Sequence, residues 1–406
     1  LVKSGFIKRF RTPIMRAKIK REVYDFYRSK DFEEFNKLHN VKAEYYKGLA
    51  THSKSDIKKM ADEFEENLIQ IEYDKEGEEC LQILFGKDTS VRKNKLLCGQ
   101  LDSDINNSLI VKLSEHLNTA TITEQLGNIY RMIPSFYDGL IPAQRKVLAT
   151  IRKKISNNKK LKVSELCGKT IGEMNYSYGD AAIEGVVMTM AQIFPGSNFI
   201  PLILPVSDSI GSYFGGSKDR GAARYTKITP NPLIDYLYPR GDDDILPLEH
   251  EDGEYYQPIV YYSIIPRILT ETTNAIGTGW SATFLARNME IVLRYVRLSI
   301  DYHPTIYISE MYGCGELHNN LKLIIHDGKE ICTGRYEIQD NFIIVTELPP
   351  GLTGISFIKN LTKTDIEDKK NNKKKYAGAV KYKDIIEFVF NESSEKIRII
   401  IKLKNN

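Results

Sequence analysis

Along the chain the spacing of apolar positions changes from one period to another. Over 5–20 they alternate with cations, which predicts a pair of strands; over 21–39 aromatic and charged residues interleave as in an amphipathic helix. In THSKSDIKKMADEFEENL, Thr51 or Ser53 can cap a helix over about 55–68. A polar stretch, 102–108, then separates this part from the next. In PAQRKVLATIRKKI, Pro142 suits a first helical position, and Val147, Leu148 and Ile151 fall on one face. Helices over 163–174 and 180–194 follow, giving a helix-turn-helix pattern of the kind that docks on a DNA groove. Beyond about Pro266 the period shortens to two. LKLIIHDGKEICTG, YEIQDNFIIVTEL and KIRIIIKL read as strands, with turns at Asp327-Gly328 and Pro349-Pro350-Gly351. The lysine-rich run 368–375 reads as a solvated loop, and no internal repeat is visible.

A chain of 406 residues is too long for one core, so two or three domains are expected. Its 42 % hydrophobic and 27 % charged residues are ordinary for a folded protein. The net charge is +4, because 57 Lys and Arg nearly balance 53 Asp and Glu; binding to nucleic acid must therefore rest on local basic clusters. The five scattered cysteines lack CxxC spacing, which argues against zinc, and their odd number fits a reducing compartment better than a disulfide framework. No apolar run has the length of a membrane span, so no membrane partner is expected. The start lacks both a signal-peptide core and an initiator methionine, and reads as the middle of a longer polypeptide.

The candidate chemistry lies in GGSKDRGAARY (215–225), where Arg224 precedes Tyr225. A tyrosine oxygen can take a phosphodiester into a covalent intermediate, and a guanidinium matches phosphate geometry. Any one of 24 tyrosines more often packs its ring in a core, so the surrounding text decides. Together with IPSFYDGLIPAQRKVL (133–148) and NAIGTGWS (274–281), the segment resembles the cleavage core of eukaryotic-type type IIA DNA topoisomerases, whose tyrosine motif reads GGKDAAxARY. YYKGLATHS resembles the family's YYKGLGTS element, with Ala50 and His52 departing from it, and VTELPPG (345–351) resembles a tower-domain motif.

The resemblance implies an α/β fold class, in the sense of an α+β multidomain chain. Its parts would be the end of a TOPRIM domain with a linker (1–125), a winged-helix DNA-binding and cleavage domain (126–264) and an incomplete α/β tower (265–406). It implies that Tyr225 attacks a DNA phosphorus and leaves a 3′-hydroxyl and a 5′-phosphotyrosyl link, with Arg224 and Arg145 catalytic at the phosphate. Lys146, Lys162, Lys169 and Lys218 would contact the DNA backbone, and Ile276 would wedge between base pairs. Partners implied are double-stranded DNA and a second copy in a homodimer. Cofactors implied are Mg²⁺, with ligands upstream of this chain, and ATP, used by a domain absent here.

Where relatives carry a histidine, in AYHHG or YHPHG, this chain has Asn175-Tyr176-Ser177-Tyr178-Gly179. The pH profile of cleavage should then lack an imidazole inflection. Together with high Lys, Ile and Asn content, the missing histidine suggests a viral member from a large cytoplasmic DNA virus. Asp102-Ser103-Asp104 follows the YYKGL element instead of preceding it and is read as an exposed acidic turn, so no metal ligand is assigned. The acids at 241–244 and 249–252 are read as surface groups. Two rivals are a non-catalytic DNA-bending module and a tyrosine recombinase; the mid-chain position of Tyr225 and the GTGW element argue against the second.

Overall fold

The computed structural model describes residues 1–46, 52–99, 108–194, 196–302, 321, 323–326, 329–362, 385–393 and 396–404. The readings made for Ala50, Thr51, Asp102-Ser103-Asp104, Asp327-Gly328 and 368–375 lie outside these residues. Contacts divide the chain into two compact units. The first comprises Leu1–Ile133, His250–Tyr255 and Ala275–Ser281; the second comprises Pro134–Glu249, Tyr256–Asn274 and Ala282–Asn406.

In the first unit, β1 (Lys8–Phe10), β2 (Met15–Ile19) and β3 (Glu22–Phe26) precede α1 (Ser29–His39) and β4 (Ala43–Tyr45). The helix expected over 21–39 is thus divided. Glu22–Phe26 pairs antiparallel with β2 from Ile19↔Glu22 to Met15↔Phe26, and the helix begins only at Ser29. Lys20 turns the chain with a φ of 55°, in a two-residue loop that lacks the usual Asn-Gly signal. α2 (Lys54–Asp62) carries the expected cap at Ser53, whose hydroxyl accepts from the Asp56 N–H while the Asp56 carboxylate accepts from the Ser53 N–H. This helix is shorter than the 55–68 expected, because Leu68 already belongs to β5 (Leu68–Glu72). α3 (Lys75–Phe85), α4 (Thr89–Leu97), β6 (Ile110–Lys112), α5 (Leu113–His116) and α6 (Ile122–Met132) complete the unit. β5 lies between antiparallel β1 and parallel β6. Ile71, Cys80, Leu84, Leu96, Leu113 and Ile122 form its core.

The second unit opens on three packed helices, α7 (Pro142–Lys154), α8 (Val163–Glu173, preceded by the short strand β7, Leu161–Lys162) and α9 (Asp180–Met190). Pro142 occupies the first turn of α7 as expected. β8 (Ile203–Pro205) and β9 (Lys227–Pro230) join β7 in a sheet of order β7-β9-β8. A single core containing Val147, Leu148, Val163, Leu166, Ile183 and Ile228 underlies helices and sheet alike. The result is a helix-turn-helix with a β wing. α10 (Ile234–Leu237) follows; next along the chain come two hairpins, β10 (Leu248–Glu251) with β11 (Glu254–Pro258) and β12 (Thr273–Gly277) with β13 (Trp280–Phe284), of which His250–Tyr255 and Ala275–Ser281 belong to the first unit. After α11 (Met289–Tyr302) come β14 (Leu323–His326), β15 (Lys329–Cys332), β16 (Arg335–Gln339), β17 (Phe342–Glu347), α12 (Gly354–Thr362), β18 (Ile386–Asn391) and β19 (Ile399–Leu403). β14 and β15 pair antiparallel, and the last four strands form an antiparallel sheet of order β16-β17-β19-β18.

In the first unit the nearly buried Arg16 guanidinium donates to Asp25 at 2.6 Å and to Asp56 at 2.5 Å, which ties β2 to β3 and α2. The Ser53 hydroxyl and then Arg16 hold the Asp56 carboxyl well below its ordinary value. The stability this contributes is complete above the unfolded-state value near 4 and is lost as pH falls toward the folded-state value. Urea unfolding from about pH 6 down to pH 2 should show the first unit weakening in acid, and Asp56→Asn should lower neutral-pH stability while flattening that decline.

Candidate active site

The Arg224-Tyr225 pair stands at the entrance to β9, and its placement follows from what surrounds it. Between Ala223 and Ile228 the residues Ala223, Thr226 and Ile228 are buried, while the consecutive Arg224 and Tyr225, and then Lys227, are exposed. Tyr225 is 72 % exposed, and the Arg224 guanidinium carbon lies 5.1 Å from the centre of its ring. An exposed cation–π contact of this kind contributes about 0.5–1 kcal/mol. The backbone beneath is fixed from both sides. The first amides of α8 would lack helical partners; Val163 N–H instead donates to the Thr226 carbonyl at 3.0 Å and Ser164 N–H to the Ala223 carbonyl at 3.3 Å. Tyr225 N–H and Thr226 N–H both return to the Ala222 carbonyl, closing a tight turn around the tyrosine.

Upstream, the Gly215-Gly216 loop is bridged at Ser212↔Gly216, and Gly216 adopts a φ of 64°. Asp219 fills the space where a Cβ on Gly215 would stand, and the Ser212 hydroxyl donates to its carboxylate. The Tyr213 hydroxyl donates to Glu347 at 2.7 Å, and the Phe214 ring lies so close to Gly354 that a Cβ there would strike it. The loop leading to the tyrosine is therefore anchored on the C-terminal strands. Lys218 sits in the exposed 3₁₀ turn Ser217–Asp219.

Arg145 and Lys146 depart from expectation, because α7 is buried along most of its length. Arg145 is 3 % exposed and donates to both Asp138 oxygens, at 2.7 and 3.2 Å, and to the Leu140 carbonyl at 2.8 Å. The expectation that it presents its guanidinium to a phosphate is corrected: in this conformation the group is engaged inside. Lys146, 4 % exposed, donates to the Met174 carbonyl at the C-terminal end of α8, which corrects its assignment as an outward backbone contact. Lys162 is exposed and Lys169 half-buried on α8. Ile276 belongs to the first unit, where it is 68 % exposed between the buried Ala275 and Gly277, and a Cβ on Gly277 would meet Ile129. Ser177 and Tyr178 are exposed, with the Tyr178 ring 5.6 Å from that of the buried Tyr176.

Asp138 was missed. Fully buried, it accepts from Arg145, from Leu140 N–H at 2.9 Å and from Tyr261 N–H at 3.1 Å. Its signal was an acid in an Asp-Gly turn seven residues before an arginine. Among the acids read as surface groups, Asp243 pairs with the buried Arg152 at 2.8 Å. Among the described residues no three His, Cys, Asp or Glu side chains converge as a metal site.

Residues 131–406 match the A-type subunit of the DNA gyrase/topoisomerase IV family, and residues 10–123 match the C-terminal associated domain of TOPRIM. The chain belongs to this DNA gyrase/topoisomerase IV family, that of the type IIA DNA topoisomerases. Over its whole length it is 29 % identical to DNA topoisomerase 2 of African swine fever virus, of which it covers 35 %. It is 30 % identical over 86 % of its length to a probable DNA topoisomerase 2 of Dictyostelium discoideum, covering 23 % of that protein. The crystal structure of the Plasmodium falciparum topoisomerase II DNA-binding, cleavage and re-ligation domain superposes with a TM-score of 0.73 at 26 % identity, covering 98 % of this chain and 53 % of that one. The chain thus spans about a third of the length of the curated viral relatives.

Removing Asp138 would leave the buried Arg145 charge uncompensated, a loss of about 3–5 kcal/mol. Asp138→Ala should shift the denaturant midpoint accordingly, and Asp138→Leu combined with Arg145→Met should recover most of it. Equal instability in the single and double variants would show that the pair's charge is not what matters.

Proposed function

We propose that this chain is the DNA-binding, cleavage and religation part of an ATP-dependent type IIA topoisomerase. The observation that carries the reading is the Arg224-Tyr225 pair: an exposed phenol beside a guanidinium, on a backbone held by the first amides of α8. The Tyr225 oxygen attacks a backbone phosphorus. A tyrosyl–phosphorus bond forms at the 5′ side as the bond from phosphorus to the 3′ oxygen breaks; the phenol loses one proton and the leaving oxygen gains one. Reversal reseals the strand, because the phosphotyrosyl link conserves the energy of the broken bond. Arg224 neutralises the nonbridging oxygens as charge develops on them. Arg145, tied to Asp138, acts from within by setting the start of α7, while Lys162, Lys169 and Lys218 serve as backbone contacts. The exposed Ile276 at a hairpin tip has the form of an apolar wedge.

The division into 1–125, 126–264 and 265–406 remains our assignment of the three parts. By membership of the family the parent protein works as a homodimer that cuts both strands of one duplex and passes another through. It uses Mg²⁺ held outside this chain and ATP bound by another domain. Likeness to viral enzymes supports a viral source with action in the host cytoplasm, or in the nucleus if the source is cellular. No helix among the described residues is long and apolar enough to cross a membrane.

The test uses the chain extended through its metal-binding carboxylates, incubated with Mg²⁺ and end-labelled duplex and then denatured. A 5′-linked adduct is expected and should vanish in Tyr225→Phe while binding persists. Tight binding without an adduct would leave a DNA-bending module in place of the enzyme.

A further inference from the structure

β7 and β9 bring two lysines together on the outward face of the wing. The register pairs Leu161 with Ile228, both in the core, and Lys162 with Lys227, both exposed. Directly opposite residues of an antiparallel pair have Cβ atoms about 4.5–5.5 Å apart, and like charges so placed repel. Lys162 also stands at the N-cap of α8 without capping it, where the helix dipole is already positive. Neither lysine has an ion-pair partner among the described residues. Local rules are therefore broken twice at one spot, as happens where a site is kept for a ligand. Lys227 lies two residues beyond Tyr225 in the chain, where β9 leaves the tight turn that carries the tyrosine, and both side chains are exposed.

We infer that Lys227 and Lys162 together form a phosphate clamp for the DNA strand that Tyr225 attacks, holding the backbone one or two phosphates from the cleaved bond. The inference rests on the DNA-cleavage reading and adds Lys227 to it. A single DNA strand carries a charge every 3.4 Å or so of helix rise, so a cation pair beginning two residues along the chain from Tyr225 meets a neighbouring phosphate. Two ammonium groups on one anion exchange mutual repulsion for attraction, which makes the clamp costly when empty and favourable when filled. Its effect is to fix the strand's position relative to the phenol without contacting the reacting atoms.

The experiment compares this chain with its Lys227→Gln, Lys162→Gln and doubly substituted variants, measuring affinity for a mixed-sequence duplex across a series of salt concentrations. Each single change should make the slope of log affinity against log salt shallower by about 0.9, and the double change by about 1.8. Lys227→Arg should keep the wild-type slope, and Lys359→Gln, on α12, should leave it unchanged. In the absence of DNA the thermal midpoint of Lys227→Gln should hold or rise, since a repulsion is removed. A steep wild-type slope that Lys227→Gln leaves unaltered overturns the clamp and spares the DNA reading. A flat wild-type slope overturns both. Loss of binding accompanied by a lower midpoint also overturns the clamp, since Lys227 would then be a structural residue.

Discussion

A carboxylate with no exposure to water organises the second unit. Asp138 receives the Arg145 guanidinium and the N–H groups of Leu140 and Tyr261, so one buried charge joins the turn before α7, the helix itself and the chain that follows β11. Buried ions are tolerated only when their lone pairs are met, and here the donors come from segments more than a hundred residues apart. Because α7 packs on α8 and α9, its placement sets that of the whole helical layer. The amides at the start of α8 then grip the carbonyls on either side of Arg224-Tyr225. Hydrogen bonds and helix packing thus link the buried Asp138 to the backbone that carries the exposed Tyr225 phenol.

Most of the architecture was legible in the pattern. The three helices, Pro142 at the head of α7, the Ser53 cap and the change to strands beyond Pro266 all express local periodicity or capping chemistry. The failure at 21–39 is instructive. Glu22–Phe26 mixes aromatics with charges, which suits a half-buried strand as well as a helix, and long-range pairing with β2 decided between them. The early end of α2 at Asp62 has the same cause, since β5 claims Leu68 for its sheet.

At the site, sequence could name candidate residues but not their burial. QRKVL offers two cations in succession, and nothing local distinguishes a guanidinium facing a phosphate from one closed on Asp138, whose partners lie at 140 and 261. Lys146 is similar: its partner is the carbonyl of Met174, at the end of another helix. The exposure of Tyr225 follows from the turn that carries it, whose amides at Tyr225 and Thr226 both bond to the Ala222 carbonyl ahead of the strand.

The grip of α8 on the tyrosine's flanking carbonyls has a mechanical side. In an enzyme of the proposed kind, a severed duplex end hangs from a single phenolic bond while the gap is opened. With the attachment point bonded into a helix and a sheet that share one core, tension on the DNA end is distributed over that core and does not uncoil a loop. The broken end and its anchor then travel as one body, and the 3′ hydroxyl returns to a phosphorus that has kept its orientation.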